Sequence, residues 1–164
     1  MEDYNHFDIA LICENGDVVN WASMTSPEYN TDFCRECGAK TIDACPSCNE
    51  PIRGEDLSIR EWFGSFRRAP KFCHKCGKPY PWHERAKQVV LEYADEIGNL
   101  SQDDRFQLET SIVVLSNDTS EAQAQLAAVR LKKIVSKLGK AAGEVAYKMV
   151  VDIASEIGKK TLLP

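Results

Sequence analysis

The segments Cys34-Arg-Glu-Cys37-Gly38, Cys45-Pro-Ser-Cys48-Asn49 and Cys73-His-Lys-Cys76-Gly77 repeat one pattern three times. In each, two cysteines stand three positions apart, and the residue after the second is Gly or Asn. A zinc knuckle wraps its backbone around one ion and turns sharply after the second sulfur. Gly enters the left-handed region this turn needs without steric cost, and Asn tolerates it better than most residues. One such pair says little; three with the same following residue type point to thiolate ligands. A redox pair would lie between a strand and a helix in a thioredoxin-like pattern, which these surroundings lack.

Tetrahedral zinc takes four ligands, so six paired cysteines leave one pair short. Cys13, in Ile12-Cys13-Glu14-Asn15-Gly16-Asp17, is the seventh cysteine and the candidate to help. Two partitions satisfy the count. In one, Cys45, Cys48, Cys73 and Cys76 hold one ion, while Cys13, Cys34 and Cys37 hold another with a fourth ligand that is not cysteine. In the other, Cys34, Cys37, Cys45 and Cys48 form a site, and Cys73 and Cys76 recruit Cys13 with His74 or His6. The first is preferred, because it yields two units that each end in Phe-Cys-x-x-Cys-Gly, at Phe33 and Phe72, as two zinc ribbons in tandem would.

All seven cysteines precede residue 77, and six of the seven prolines lie at or before Pro81. The first half is therefore expected to be turn-rich and poor in apolar interior, with metal in place of a core. After Trp82 the composition becomes helical. Apolar residues at three- and four-residue spacing predict four helices. The first, 82–97, carries Ala86, Val89, Val90, Tyr93, Ala94 and Ile97 on one face and stops at Gly98-Asn99. The second opens at Ser101, with Asp104 three residues on, and carries Leu108, Ile112 and Leu115. The third follows Asp118-Thr119-Ser120-Glu121, runs to Gly139 and buries Ala127, Leu131, Ile134, Val135 and Leu138. The fourth, 141–159, carries Ala142, Val145, Ala146, Met149, Val150, Ile153 and Ile157. The fold class is thus a small zinc-ribbon module of hairpins and knuckles over residues 1–82, followed by an all-α bundle of about four helices over 83–164.

The whole chain has 164 residues, 43% of them hydrophobic and 27% charged, with a net charge of -5. No uncharged apolar run is long enough to span a bilayer, which excludes a membrane protein of the helical kind. The start, MEDYNHFDIALICENGD, is acidic and lacks the pattern of a secretory signal. A cytoplasmic protein with reduced thiols is expected, and an odd number of cysteines also argues against a fully paired disulfide framework. Residues 1–82 hold nine Lys or Arg against thirteen Asp or Glu, and the remainder eleven against twelve, so neither half is basic. Residues 52–78 do interleave seven basic residues with Trp62, Phe63 and Phe66, a combination that single-stranded nucleic acid binding uses. The competing reading makes those aromatics a miniature core and leaves Arg67 and Arg68 in solvent. The acidic whole favours it. His83 is expected at the surface, and His74 is expected to turn away from the metal.

The chain also resembles a bacterial family of small double zinc-ribbon proteins of unknown function. The resemblance is carried by Ile12 to Val18, Phe33 to Ala39, Cys45 to Gly54 and Phe72 to Trp82, and by the last helix around Val150 to Glu156. It implies metal binding and no particular activity. Where the family pattern has His, this chain has Asp17, so the fourth donor of the first site would be the Asp17 carboxylate, His6 or water. Asp is a harder ligand than His, and the site should hold zinc less tightly. Open coordination there would be the one route to catalysis, since a metal-bound water can be activated. No Glu or His stands at the spacing of a zinc hydrolase, and the H-x-E signature of zinc deaminases is absent. The reading is of two zinc ions per chain in a non-catalytic scaffold or adaptor that binds another macromolecule. That partner is expected to be a protein, with nucleic acid as the alternative and no membrane.

Overall fold

The computed structural model describes residues 6–58, 68–98, 100–117 and 119–163. Trp62, Phe63, Phe66 and Arg67, singled out above as a basic and aromatic segment, lie outside the described residues, as do Asn99 and Asp118. The chain divides into two compact units, Met1–Glu84 and Arg85–Pro164.

The first unit is built of short antiparallel pieces. Strands β1 (Phe7–Ile9), β2 (Leu11–Cys13), β3 (Val18–Asn20), β4 (Thr41–Ile42) and β5 (Arg53–Asp56) form two sheets. One pairs β1 with β5; the other has the order β3-β2-β4, with Ile12 opposite both Val18 and Ile42. Ile12, on the central strand, is fully buried. Its neighbours in the core are Ala10, Ile52, Tyr80 and Trp82, together with the cysteines Cys45 and Cys73. Tyr80 and Trp82 stack with ring centroids 4.7 Å apart, and the Trp82 indole N–H donates to the Pro70 carbonyl at 2.8 Å. Gly54 has a packing reason: a Cβ there would sit 2.1 Å from the Trp21 carbonyl oxygen, which accepts from Glu55 N–H.

Away from the cysteines, a buried carboxylate ties the unit together. Asp8 accepts from the backbone N–H groups of Ile9, Met24 and Thr25 at 2.6, 2.9 and 3.1 Å, and from the Thr25 hydroxyl at 2.7 Å. Burial alone would favour the neutral acid, but the Thr25 hydroxyl and these three N–H donors outweigh it and hold the carboxyl below its ordinary range. Asn20 does similar work, donating to the Ser26 carbonyl and the Asn30 side chain.

Helix α1 (Pro81–Ile97) starts on Pro81, whose missing N–H costs nothing in a first turn. His83, expected at the surface, is buried, with its ring edge-on to Phe72 at 4.9 Å. It lies one position past Trp82, and the α-helical turn carries it inward, which its polarity alone does not foretell.

Five α-helices stand among the described residues, where four helices were expected. After α1 come α2 (Gln102–Ser116), α3 (Glu121–Lys137), α4 (Lys140–Ile153) and α5 (Glu156–Leu162). Ser101, Ser120 and Ser155 cap α2, α3 and α5, each accepting from the N–H three residues on. The single helix expected over 141–159 is thus two, broken at Ala154 and Ser155. The cause is tertiary: Ser155 N–H donates to the Leu115 carbonyl at the end of α2, and Gly158 lies so close that a Cβ would meet that same oxygen at 2.2 Å. The core of this unit is apolar, with Val90, Leu108, Ile112, Leu131, Ile134 and Val150 all essentially inaccessible. The expected faces of α2 and α3 are the buried ones. On α1 the buried stripe is Val90, Leu91 and Ala94, whereas Val89 and Ile97 are exposed. Ala86 and Tyr93 pack at its edges, so the buried face is turned toward Leu91 and away from Val89 and Ile97; the expected Val145 of α4 is likewise exposed. Among the described residues, no helix is long and apolar enough to cross a membrane.

Candidate metal centre

The three CxxC segments close in the same way. Cys34 N–H donates to the Ala39 carbonyl and Gly38 N–H donates back to the Cys34 carbonyl, at 2.8 and 2.9 Å. Cys45 repeats this with Glu50 and Asn49, and Cys73 with Lys78 and Gly77. A β-bridge closes each loop, Phe33 with Lys40, Ala44 with Pro51 and Phe72 with Pro79. The residue after each second cysteine has the positive φ its type permits: +69° at Gly38, +59° at Asn49 and +70° at Gly77. The turn therefore follows from the residue sequence, and it curls backbone N–H groups toward sulfur.

The turn after Cys13 is one residue shorter. Gly16 N–H donates to the Cys13 carbonyl, Cys13 N–H donates to the Asp17 carbonyl, and the positive φ, +94°, falls on Gly16 itself. The position a second cysteine would occupy is thus taken by a residue in the left-handed region. The next side chain able to face Cys13 belongs to Asp17, immediately before β3. Its backbone N–H donates to Cys13 Sγ at 3.2 Å.

These turns bring the predicted residues together in two groups: Cys45, Cys48, Cys73 and Cys76, and Cys13, Asp17, Cys34 and Cys37. Within each group one donor atom per residue lies within 4.8 Å of the others. In the first group Cys45 and Cys76 sulfurs are 3.8 Å apart, and Cys48 and Cys73 sulfurs 3.7 Å. In the second, Cys13 and Cys37 sulfurs are 3.7 Å apart, and an Asp17 carboxylate oxygen stands 3.4 Å from Cys13 Sγ and 3.6 Å from Cys34 Sγ. A disulfide bond is about 2.05 Å long, and every cysteine is free. The alternative grouping of Cys34 and Cys37 with Cys45 and Cys48 is not formed. His6 belongs to neither group; its carbonyl accepts from Leu57 N–H.

The electrostatics of the groups asks for a cation. The Cys37 thiol is held below its ordinary pKa by the Ala39 backbone N–H, helped by the Asn15 side chain. At Cys73 burial opposes ionisation, but the Cys76 and Lys75 N–H groups prevail and bring it to about 6. At Cys48 the Glu50 N–H favours the thiolate, yet burial and the crowded sulfurs of Cys76, Cys73 and Cys45 push it up to about 12. Burial likewise raises Cys13 to about 11, against the N–H groups of Asp17 and Asn15. Sulfurs this close repel one another's charge, so ionising all of them requires a positive ion in their midst.

Three contributors were not read from the sequence. The Asn15 side-chain N–H donates to Cys37 Sγ at 3.4 Å. Tyr80 lies buried against Cys73, and that burial, with the neighbouring sulfurs, raises its phenol. Lys75 pairs with Glu50, which also draws His74 Nε2 to 3.4 Å and so turns that imidazole toward a carboxylate. The Lys75 contact holds the Glu50 carboxyl below its ordinary range. The only hint in the sequence was proximity to a cysteine, which does not distinguish a supporting residue from a bystander.

No curated protein and no solved structure matches the chain. Residues 6–162 match the family described as uncharacterized protein conserved in bacteria (DUF2321), and with all but a few terminal residues inside that match, the chain belongs to this family.

Proposed function

We propose that the chain is a cytoplasmic zinc protein in which two ions fold a pair of tandem zinc ribbons, and that it serves as a non-catalytic scaffold or adaptor for another protein. The observation that carries the metal reading is the spacing of the donors. Four sulfurs about 2.3 Å from a central zinc in a tetrahedron stand about 3.8 Å apart, and a carboxylate oxygen in one corner stands about 3.6 Å from its sulfur neighbours. The separations of 3.7 and 3.8 Å between sulfurs, and of 3.4 and 3.6 Å to Asp17, support that arrangement in both groups. In the four-cysteine group the ion would supply structure, since no corner is left for substrate.

Exposed apolar side chains on the same unit support a protein partner: Met24, Tyr29 and Phe33 are each more than half accessible. A net charge of -5 weighs against nucleic acid. Elemental analysis of the native protein tests the metal reading, with about two zinc per chain expected and none removing it. Binding to single-stranded nucleic acid that falls linearly with salt on logarithmic axes would replace the protein partner by the alternative.

A further inference from the structure

We infer that the two centres differ in permanence: the Cys13, Asp17, Cys34 and Cys37 centre exchanges its metal through the Asp17 corner, while the Cys45, Cys48, Cys73 and Cys76 centre retains its metal as part of the folded interior. This rests on the metal-binding reading above and adds a division of labour to it.

Three independent observations lead there. The first is the turn. Both halves of the four-cysteine centre are full knuckles, whereas the Cys13 half is one residue short, with its left-handed position on Gly16. A cysteine at 16 would have to adopt φ +94°, which L side chains rarely do. The fourth donor must therefore come from position 17, where a carboxylate has one more bond of reach beyond Cβ than a thiol. The second is donor chemistry. A carboxylate is a harder ligand than a thiolate and releases a thiophilic ion more readily. The third is cover. Asp17 and Cys37 are exposed, so the weak corner faces water. Both centres have two buried sulfurs, but the exposed donors of the four-cysteine centre, Cys48 and Cys76, are both thiolates, so its open side offers no carboxylate to displace, and its buried pair, Cys45 and Cys73, packs with Ile52, Tyr80 and Trp82.

The exchange is a ligand substitution. Asp17 yields its place to an incoming thiolate, from a chelator or from a thiol-bearing metal carrier. In that first step one metal–oxygen bond breaks, one metal–sulfur bond forms and the Asp17 carboxylate passes into water as an anion; further incoming donors then replace Cys13, Cys34 and Cys37 in turn, one bond formed for each metal–sulfur bond broken, and no electrons are transferred. Occupancy of this centre then follows the supply of metal and governs the order of the Cys13 turn and the 33–40 knuckle, while the rest of the unit stays folded.

The full chain, saturated with Zn2+ and its content measured, is challenged at neutral pH with an excess of a chromophoric zinc chelator. Two release phases of one equivalent each are expected, the faster by about tenfold or more, in line with the usual effect of a weakened ligand shell. Asp17→Asn should speed or abolish the fast equivalent and leave the slow one unchanged. In the cobalt-substituted wild-type protein, the thiolate-to-metal charge-transfer absorbance lost in the fast phase should be roughly three-quarters of that lost in the slow phase, since the groups hold three and four thiolates. This arm decides the matter if Asp17→Asn does not fold. Release of both equivalents in one phase, saturation at one equivalent, or a slow phase that responds to Asp17→Asn overturns the inference and leaves the metal reading standing. A chain that binds no metal overturns that reading itself.

Discussion

The two units contain similar lengths of chain and have different interiors. Among the described residues, the cluster of the helical unit comprises eighteen buried side chains, every one an aliphatic or Ala. The corresponding cluster of the first unit comprises seven, and two of those are cysteines. Apolar burial at about 25 cal/mol per Å² suffices for five helices wrapped around a shared core, but not for strands of two to four residues joined by turns. In the first unit, the proposed metal cross-links and a buried carboxylate with four hydrogen bonds take over that role. Stability in this chain is thus drawn from two kinds of chemistry, each open to its own perturbation.

Removal of metal should separate the units most sharply. Structural zinc contributes on the order of 10 kcal/mol to a small module, as much as a whole domain's stability. Exhaustive chelation should therefore expose the first unit to proteolysis while the helical signal in far-ultraviolet circular dichroism persists. A first unit that resists protease without metal would break the comparison. In the opposite direction, Leu131→Ala in the helical core should cost about 2 to 5 kcal/mol in denaturant unfolding of that unit. It should leave metal content untouched.

A subtler effect belongs to Asp8. Asp8→Asn should destabilise the first unit by about 2 kcal/mol at neutral pH, because the buried N–H donors and the Thr25 hydroxyl lose a charged acceptor. The folded pKa lies below the ordinary 3.8. The contribution of the carboxylate is therefore complete above that value and is lost as pH falls through the lower, folded pKa. Wild type and Asp8→Asn should accordingly converge in stability in acid, below about pH 4; parallel curves down to the lowest pH would show that the carboxylate charge does not matter. The smallest change is Ser101→Ala, which removes the acceptor for Asp104 N–H and should lower the stability of the helical unit by about 1 kcal/mol. An effect of several kcal/mol there would mean that Ser101 does more than cap α2.

Local chemistry was legible where the chain acts on itself over a few residues. The CxxC turns with their Gly or Asn, the serine starts of α2 and α3 and the buried faces of those two helices all follow from spacing and backbone preference. Asp17 was legible as a candidate beside Cys13, but its closeness to Cys34, seventeen residues on, was not. The break between α4 and α5 escaped because Ala154 and Ser155 carry no helix-breaking residue; the contact with the Leu115 carbonyl imposes it. His83 escaped for a related reason, since the burial of a polar ring depends on what packs over it.

Sequence by itself determined that thiolate knuckles and amphipathic helices would form, since turn angle and helical period are set by neighbours within about five residues. Only the tertiary structure decided which knuckles come together, which carboxylate lies beside them, and where the last helix divides. Those outcomes depend on atoms brought together across tens of residues, and no local preference encodes such a distance.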